Sequence, residues 1–395
     1  MPGASADRPM PAPAQGGVRR APFGAVSVAR VSDRARPARL ALTAGGFRAG
    51  LHLDLLRRLP DLVEVTGVLA RSDAAAAAAA RRGLPVHRDL DGLLAAAPDL
   101  VVVSVPAATA PGLVRELLAR GAAVLTETPP AADLDALRAL WDATGAGARV
   151  QVAEQYLLSP HNAARAEVTR RGLLGRPTSV QVSSTQLHHA TSVLRGLLGV
   201  GFRPARVVAT ATAAPLADPI TRAGWTGSAE PRPQVTTVAT FDFGDGRSAL
   251  YDFTETQTRN PLRTRRLVVR GSAGELVDDR LVRLTDPTTV LTSTIERRQT
   301  GLHQDLQGFD LDHLSLDGEV LFRNPFPGAR LSDEEIAVAT LLLRAAAWAR
   351  GEAPGPYPLA EAAQDQLLGL AIGASLASGG PVLTSTEAWA GAPAG

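Results

Sequence analysis

The 395-residue chain contains no cysteine and no lysine. Without thiols it can form neither disulfides nor thiolate metal sites, and cysteine nucleophiles are excluded. The lack of cysteine fits a reducing compartment, so we expect a cytoplasmic protein. The longest apolar runs are short and interrupted by Arg, Asp or Pro, so the sequence predicts no membrane-spanning helix and no membrane partner.

The net charge of +2 hides an uneven distribution along the chain. Residues 1–39 contain seven arginines and two aspartates, a charge of +5, which leaves −3 for the remainder. This segment is rich in Pro, Ala and Gly and has no hydrophobic period, so we predict a disordered leader over residues 1–38. We expect its charge to be solvated and predict no nucleic-acid partner. Residues 386–395 are predicted to form a flexible tail.

Short apolar strands alternate with helices over residues 39–150, which we take as the first domain. Strands are predicted at 39–43, 63–69, 100–105 and 123–125, and helices at 51–59, 73–82, 89–97, 113–120 and 133–143. The third strand is apolar throughout, as expected for a strand that is buried on both faces. This β-α-β-α order predicts an α/β fold with a doubly wound parallel sheet, the Rossmann architecture.

The rhythm changes in residues 151–385, where strands follow one another without helices between them. They are predicted at 180–184, 207–212, 235–243, 248–254, 266–270 and 276–284, with a loop over 214–233 that borders the site. Two amphipathic helices, 332–350 and 358–378, close the chain. We therefore predict a second α/β domain with an open, mostly antiparallel sheet that serves the substrate and oligomerisation.

The first strand runs into a glycine-rich turn, residues 44–50. Such a turn allows the backbone to approach a pyrophosphate, and the following helix presents its N-terminus to the anion. If Gly46 and Ala49 hold the second and third glycine positions of the dinucleotide-binding fingerprint, the first position is Ala44. We expect Gly45, Gly46, Phe47 and Arg48 to surround the cofactor.

The end of the second strand reads Leu69-Ala70-Arg71-Ser72, where NAD enzymes usually carry an acid for the ribose hydroxyls. The first carboxylate is Asp73. Arg71 can pair with a 2′-phosphate and Ser72 can donate to it. The sequence therefore favours NADP(H) over NAD(H). The spacing of acids and histidines fits no standard metal motif, so no metal site is predicted.

Several motifs together resemble one family, the Gfo/Idh/MocA oxidoreductases of the glucose-fructose oxidoreductase and inositol dehydrogenase type. The resemblance covers about residues 39–380. It rests on the domain order and on four segments: Val103-Ser104-Val105-Pro106, Glu127-Thr128-Pro129, Gly172 to Pro177, and His189 to Gly199.

The resemblance implies hydride transfer between a nicotinamide and a carbinol, ketone or imine carbon of a small polar metabolite. It implies that Ser104, Pro106 and the segment Glu127-Thr128-Pro129 lie beside the cofactor, with a cis bond before the proline. It also implies a homo-oligomer, a dimer or tetramer. His189 matches the family's catalytic histidine, and an imidazole there can exchange the substrate proton.

The chain departs from the family pattern around that histidine. The lysine of the family's Glu-Lys-Pro motif is Thr128, which cannot supply a cation. Two aspartates of the family pattern are Thr185 and Ser192, and a frequent His or Asn is Ala110.

We therefore expect His189 to act with neighbouring side chains. Tyr156 and Thr128 are the candidate catalytic helpers, and Glu154, Thr185, Gln186 and His188 are candidate substrate contacts.

Three hypotheses fit this pattern. The first is an NADP(H)-dependent reductase or dehydrogenase with an atypical active site. The second is an enzyme that retains the dinucleotide without net redox, for elimination, isomerisation or glycoside cleavage. The third is a catalytically silent dinucleotide-binding protein.

Overall fold

The computed structural model describes residues 36–43, 46–221, 223–301 and 308–391. Residues 1–35 of the predicted leader and the last four residues of the predicted tail lie outside this range. Within it, the chain forms two α/β domains that are joined along a shared seam.

The first domain is built on six parallel strands in the order β3-β2-β1-β4-β5-β6. These are β1 (Ala38–Thr43), β2 (Val63–Leu69), β3 (Val86–His87), β4 (Leu100–Val103), β5 (Val124–Thr126) and β6 (Val150–Val152). The connecting helices are α1 (Gly46–Leu56), α2 (Asp73–Arg81), α3 (Leu90–Ala95), α4 (Ala110–Ala119) and α5 (Leu134–Thr144). This order confirms the predicted doubly wound sheet, and its direction reverses between β1 and β4.

Local sequence explains where these elements begin. Ser72, Asp89 and Asp133 cap α2, α3 and α5, each accepting a hydrogen bond from the main-chain N–H three residues later. Every residue of β4 is buried, as its unbroken apolar run predicts. The carboxyl ends of β1, β4, β5 and β6 therefore converge on one edge of the sheet.

The second domain carries a nine-stranded mixed sheet in the order β16-β15-β14-β13-β7-β12-β11-β8-β20. Its strands are β7 (Pro177–Ser183), β8 (Arg206–Ala217), β11 (Pro231–Asp242), β12 (Ser248–Thr254), β13 (Arg266–Gly271), β14 (Gly274–Val277), β15 (Arg280–Asp286), β16 (Thr289–Thr294) and β20 (Val382–Leu383). Only the β7–β12 pair of this sheet is parallel, which confirms the mostly antiparallel prediction.

Smaller elements complete the domain. A hairpin is formed by β9 (Ile220–Thr221) and β10 (Gly224–Trp225), and a three-stranded sheet by β17 (Glu296–Thr300), β18 (Asp310–Leu316) and β19 (Glu319–Arg323). The helices are α6 (Pro160–Arg170), α7 (Leu187–Leu198), α8 (Asp333–Ala349) and α9 (Leu359–Ser378). A capping box between Ser332 and Glu335 begins α8.

Two strand predictions need correction. The predicted strand 276–284 is two strands, β14 and β15, because Asp278 adopts a φ of 51° and turns the chain. The predicted loop 214–233 is largely strand, since β8 and β11 stay paired from Ala217 opposite Pro231 onward. Only the tip of this long ribbon is irregular or forms the small hairpin.

Helix α9 joins the two domains. It contacts α5 and β6 of the first domain and α7 and β8 of the second. Most of its residues are buried, including the polar Glu361, Gln364, Asp365 and Gln366. A helix buried around most of its circumference cannot slide freely, so α9 fixes how the two domains meet.

The predicted flexible tail is ordered at least to Gly391. Residues Ala388–Gly391 form a 3-10 turn, and Trp389 is fully buried. The Trp389 indole N–H donates to Gln364 Oε1 at 3.0 Å, and its ring packs edge-on against Trp141 at 6.3 Å between centroids. Burial of one large aromatic side chain holds this part of the predicted tail against the first domain.

Replacement of Trp389 by alanine should therefore destabilise the protein. The lost burial and the cavity left behind correspond to about 3–5 kcal/mol of unfolding free energy, measured by chemical denaturation. Trp225→Ala is the matched control, because Trp225 is 74% exposed and its removal should change stability by less than about 0.5 kcal/mol. Equal effects of the two substitutions would contradict the docked tail.

Candidate active site at the seam between the domains

The first wall of the site is the carboxyl edge of the Rossmann sheet at its switch point. There the main-chain N–H of Ser104 donates to Thr43 Oγ1 at 2.8 Å, which ties the end of β4 to the end of β1. The carbonyl of Pro106 accepts from the N–H groups of Thr109 and Ala110 and so begins α4. The predicted cofactor residues Ser104 and Pro106 thus lie where open α/β sheets bind dinucleotides.

The glycine-rich turn enters this edge from β1. Gly45 and the side chain of Phe47 lie outside the described part of the chain, and Gly46 is the first residue of α1. Arg48, in the first turn of α1, has its Nε 3.5 Å from Glu127 Oε1 and its Nη1 3.3 Å from Glu334 Oε1. One guanidinium therefore links α1 both to the segment after β5 and to the start of α8.

Glu127 is buried and is held by α1. His52 Nε2 lies 3.0 Å from Glu127 Oε1, and the Arg48 guanidinium lies on the same oxygen. Burial opposes ionisation, but His52, Arg48 and the more distant His189 outweigh it and keep the pKa of Glu127 below its ordinary value. Sequence reasoning missed His52. Its spacing of four from Arg48 on one helix face was the available signal.

The segment after Glu127 has the predicted backbone. The Thr128–Pro129 bond is cis, and Thr128 is half-buried. Its hydroxyl has no hydrogen-bond partner within residues 36–43, 46–221, 223–301 and 308–391. No cation stands at this position, in keeping with the departure from the family motif.

The second wall carries the predicted catalytic histidine. His189 lies in the first turn of α7, and its Nδ1 is 2.6 Å from Glu154 Oε2. Glu154 follows β6 by two residues and is buried, whereas the His189 side chain keeps 16% exposure. This carboxylate–imidazole pair therefore bridges the two domains.

Glu154 was predicted to contact the substrate, but both of its carboxylate oxygens are engaged within the protein. Its other oxygen, Oε1, accepts the main-chain N–H of Tyr156 at 2.9 Å. A buried carboxylate with both oxygens engaged orients the imidazole and selects the tautomer with the proton on Nδ1. Its role here is to position His189.

Tyr156 packs against the histidine, with 4.6 Å between ring centroids. Burial raises the pKa of Tyr156 above its ordinary value, although the neighbouring Thr185 hydroxyl opposes the shift. The phenol therefore remains protonated at neutral pH and can donate a hydrogen bond. Thr185 is fully buried beside it, whereas Gln186 is exposed at the N-terminus of α7.

His188 occupies a drier position than its neighbour. Its ring lies 4.2 Å from that of His189, and its Nε2 is closed off from solvent with no partner in the described chain. Burial, together with the charge on His189, lowers the pKa of His188 to about 3. The preceding Leu187 has a φ of 43°, a strained backbone of the kind that clusters at functional sites.

Further buried polar atoms without partners within the described residues surround the seam. They include Thr126 Oγ1 at the end of β5, Gln155 Oε1 after β6, and Gln366 Oε1 on α9. Buried polar groups in proteins are normally satisfied. Thr126 and Gln155 lie at the carboxyl ends of β5 and β6, the edge that also carries Glu154.

The end of β2 carries the predicted cations. The Arg71 side chain is 67% exposed, and its nearest carboxylate, Glu116, is 3.9 Å away. The Ser72 hydroxyl accepts the Ala75 N–H at 3.3 Å as the cap of α2. Arg88, which sequence reasoning missed, donates to the Ala70 carbonyl at 3.3 Å and pairs with Asp73 at 2.7 Å.

The described residues contain neither a cluster of potential metal ligands nor a membrane-spanning helix. Among them, no cluster of three or more His, Asp or Glu side chains could hold a metal ion. No helix of that part of the chain is both long and apolar enough to cross a membrane.

The depressed pKa of His188 predicts acid-sensitive stability. Below a pH of about 6.5 the unfolded chain binds a proton that the folded protein rejects until about pH 3, so the unfolding free energy falls as the pH falls. When the pH is lowered from 7 to 5, the unfolding free energy of His188→Asn should rise by roughly 1–2 kcal/mol relative to that of the unsubstituted protein. Denaturant titrations at both pH values measure this, and a pH-independent difference would contradict it.

Residues 43–154 match the family model GFO_IDH_MocA, described as an oxidoreductase family with an NAD-binding Rossmann fold. No curated protein sequence matches the chain.

Solved structures resemble the whole chain. Levoglucosan dehydrogenase, in complex with NADH and levoglucosan, aligns with a TM-score of 0.63 and 17% identity over 88% of this chain and 100% of that one. An NAD-binding oxidoreductase from Klebsiella pneumoniae aligns with a TM-score of 0.62 and 18% identity over 89% and 100%. The WlbA dehydrogenase from Bordetella pertussis, in complex with NADH and UDP-GlcNAcA, gives 0.59 and 17% over 89% and 99%.

At these identities the structures establish the fold, and the family match covers the first domain. The N-terminal domain is therefore similar in sequence to the NAD-binding Rossmann domain of the Gfo/Idh/MocA oxidoreductases, and the two-domain chain has the fold of solved dehydrogenases.

Proposed function

We propose that the protein is a nicotinamide-dinucleotide-dependent dehydrogenase or reductase of a small polar metabolite, with His189 as its proton carrier. The observation that carries this proposal is the 2.6 Å contact between His189 Nδ1 and Glu154 Oε2. It stands at the seam where a Rossmann switch point faces a second domain. Among the described residues, buried polar atoms without partners lie at the ends of β5 and β6, namely Thr126 Oγ1 and Gln155 Oε1, as expected if a polar ligand meets this edge.

The dinucleotide fits the first wall of the site. The turn before α1, the ends of β4 and β5, and Ser104 to Pro106 would hold its phosphates and nicotinamide. The bound nicotinamide would supply the hydride acceptor or donor. The buried anion of Glu127 is already compensated by His52 and Arg48, so we assign it to shaping this wall and not to proton transfer.

His189 performs the proton transfer in this scheme. Because Nδ1 donates to Glu154, Nε2 is the nitrogen that remains for the substrate hydroxyl. In oxidation Nε2 accepts the hydroxyl proton, and the buried Glu154 carboxylate stabilises the resulting imidazolium. In reduction the same proton returns to the substrate oxygen.

Tyr156 takes over part of the role of the absent lysine. Its protonated phenol can donate to the substrate oxygen, but as a neutral group it polarises a carbonyl less than an ammonium does. Thr128 adds at most a neutral hydrogen bond. A site with this set favours substrates whose oxygen needs modest polarisation, such as activated carbonyls and carbinols of sugar-like compounds, or imines.

We further propose a preference for NADP(H). Arg71 is largely exposed and poorly paired, and Arg88 lies beside it at the end of β2. Two guanidinium groups next to the capped N-terminus of α2 suit a 2′-phosphate. The levoglucosan dehydrogenase and WlbA complexes contain NADH, so this preference rests on these two arginines.

The oligomeric state remains a prediction. Apolar side chains are exposed on the edge strand β16 and on its neighbour β15: Leu284, Val290 and Leu291 are 48%, 61% and 43% exposed. We propose that the open sheet supports a dimer or tetramer.

The cofactor proposal predicts that Arg71→Ala weakens NADPH binding by about tenfold or more, the value of one lost charge-assisted hydrogen bond. NADH binding should change by less than twofold in the same variant. Fluorescence titration of both dinucleotides measures this, with the exposed Arg298→Ala as the matched loss of charge elsewhere. Tighter binding of NADH than NADPH to the unsubstituted protein would overturn the preference.

The catalytic proposal predicts that Glu154→Gln lowers turnover by about 10²–10⁴-fold, because an amide can donate to Nδ1 and favour the wrong tautomer. The assay follows nicotinamide absorbance with levoglucosan, myo-inositol and UDP-GlcNAcA as first substrates. Asp279→Asn is the matched control, since Asp279 pairs with His161 at 3.1 Å away from the seam. Full activity of Glu154→Gln would contradict the proposal.

The same assay separates the alternatives. A silent binder would bind the dinucleotide and show no absorbance change with any substrate of an extended panel. An enzyme without net redox would form product with substoichiometric cofactor.

A further inference from the structure

A buried charged cluster lies behind the site, in the contact between α7 and α9. Arg195 of α7 donates through Nη1 to Asp365 Oδ1 at 2.6 Å and through Nη2 to Glu361 Oε2 at 2.7 Å. The Tyr357 hydroxyl donates to the second oxygen of Asp365. All four residues are less than 9% exposed. Buried charges persist where they are paired in this way, and removal of one partner is costly.

The cluster is tied to β6 by the backbone of Tyr357. The Tyr357 carbonyl accepts the Val152 N–H at 2.9 Å, and its own N–H donates to Gln151 Oε1 at 2.8 Å. Both partners belong to β6, the strand that ends two residues before Glu154. The position of Tyr357 is therefore transmitted to the carboxylate of the catalytic pair.

The cluster is tied to α7 at three points. Arg195 lies six residues after His189 on this helix, and Thr191 Oγ1 donates to the Asp365 carbonyl at 2.8 Å. Gly369 of α9 lies so close to the first turn of α7 that an added Cβ would be 3.1 Å from the main-chain nitrogen of His188. The start of α7 is thereby seated directly on α9.

The two members of the catalytic pair are carried by different elements, and each element is bonded to the cluster. Glu154 belongs to the end of β6 and His189 to α7, and their contact of 2.6 Å allows little relative movement. Asp365 receives Tyr357 from the β6 side and Arg195 from the α7 side. One buried carboxylate thus joins both halves of the pair.

We propose that Tyr357 and Asp365 are positioning residues, which hold β6 and α7 in the register that brings Glu154 onto His189. This inference rests on the proposed catalytic role of His189. It assigns a function to the buried ionic cluster between α7 and α9.

The test is Tyr357→Phe, which removes one hydroxyl and keeps the ring. The readout is the Nδ1–H proton resonance of His189 in protein labelled with ¹⁵N at its seven histidines, identified by its loss in His189→Gln. A proton donated to a carboxylate at this distance resonates at low field. The matched control is Ser375→Ala on the same helix, because Ser375 is buried and hydrogen-bonded to Ala209 and Gly380 away from the cluster.

We expect Tyr357→Phe to lose or shift this resonance upfield, and Ser375→Ala to keep it although both variants unfold at lower denaturant. An unchanged resonance in Tyr357→Phe overturns the proposal, as does equal loss in both variants. If Tyr357→Phe does not fold, Thr191→Val is the second variant. It removes the hydroxyl that donates to the Asp365 carbonyl and also to the Leu187 and His188 carbonyls of α7, and it should shift the resonance less in the same direction. An unchanged resonance in Thr191→Val would then overturn the proposal.

Turnover separates this inference from the proposed function. With a substrate from the panel above, Tyr357→Phe should lower kcat by roughly 10- to 100-fold, as expected for misplacement by about an ångström, with KM changed less than about threefold. Loss of the resonance with full kcat would leave the positioning role standing and remove the catalytic role of His189.

Discussion

The hydrogen bond between His189 and Glu154 is the contact on which the rest of the site depends. It joins the last residues of the Rossmann domain to the first turn of a helix in the second domain. The imidazole and the carboxylate that orients it therefore come from different domains. Chemistry therefore requires that the two domains meet in one register, and α9, packed against both, enforces it.

The electrostatics of the site divide it into two parts. On the dinucleotide side, Glu127 is a buried anion balanced by His52 and Arg48. On the substrate side, His188 is held neutral by burial, and its neighbour keeps partial access to solvent. Thr128, which lies between Glu127 and the cis Pro129, supplies no cation. In the proposed mechanism, proton transfer therefore falls to the one imidazole of His189, whose Nδ1 already contacts Glu154.

Much of the fold followed from local patterns in the sequence. The alternation of β and α segments predicted the parallel sheet, and the unbroken apolar run of β4 predicted its burial on both faces. The failures have tertiary causes. Asp278 turns the chain with a positive φ inside an apparently continuous strand, and Trp389 docks a tail whose composition suggested disorder. The motifs singled out His189 and Tyr156, whose rings pack together in the structure. The pairing of Glu154 with His189 depends on a contact between residues 35 positions apart, which no local pattern indicates. Nothing local marks Tyr357 as their common support.

The most direct test of this account is a structure with the dinucleotide bound, read for what faces C4 of the nicotinamide. The account predicts that His189 keeps Glu154 on Nδ1 and turns Nε2 toward C4. One substrate carbon should fit between them, at about 3–3.5 Å from C4, with its oxygen within hydrogen-bond reach of Nε2. A nicotinamide bound away from His189, or an imidazole turned from Glu154 toward another partner, would contradict it.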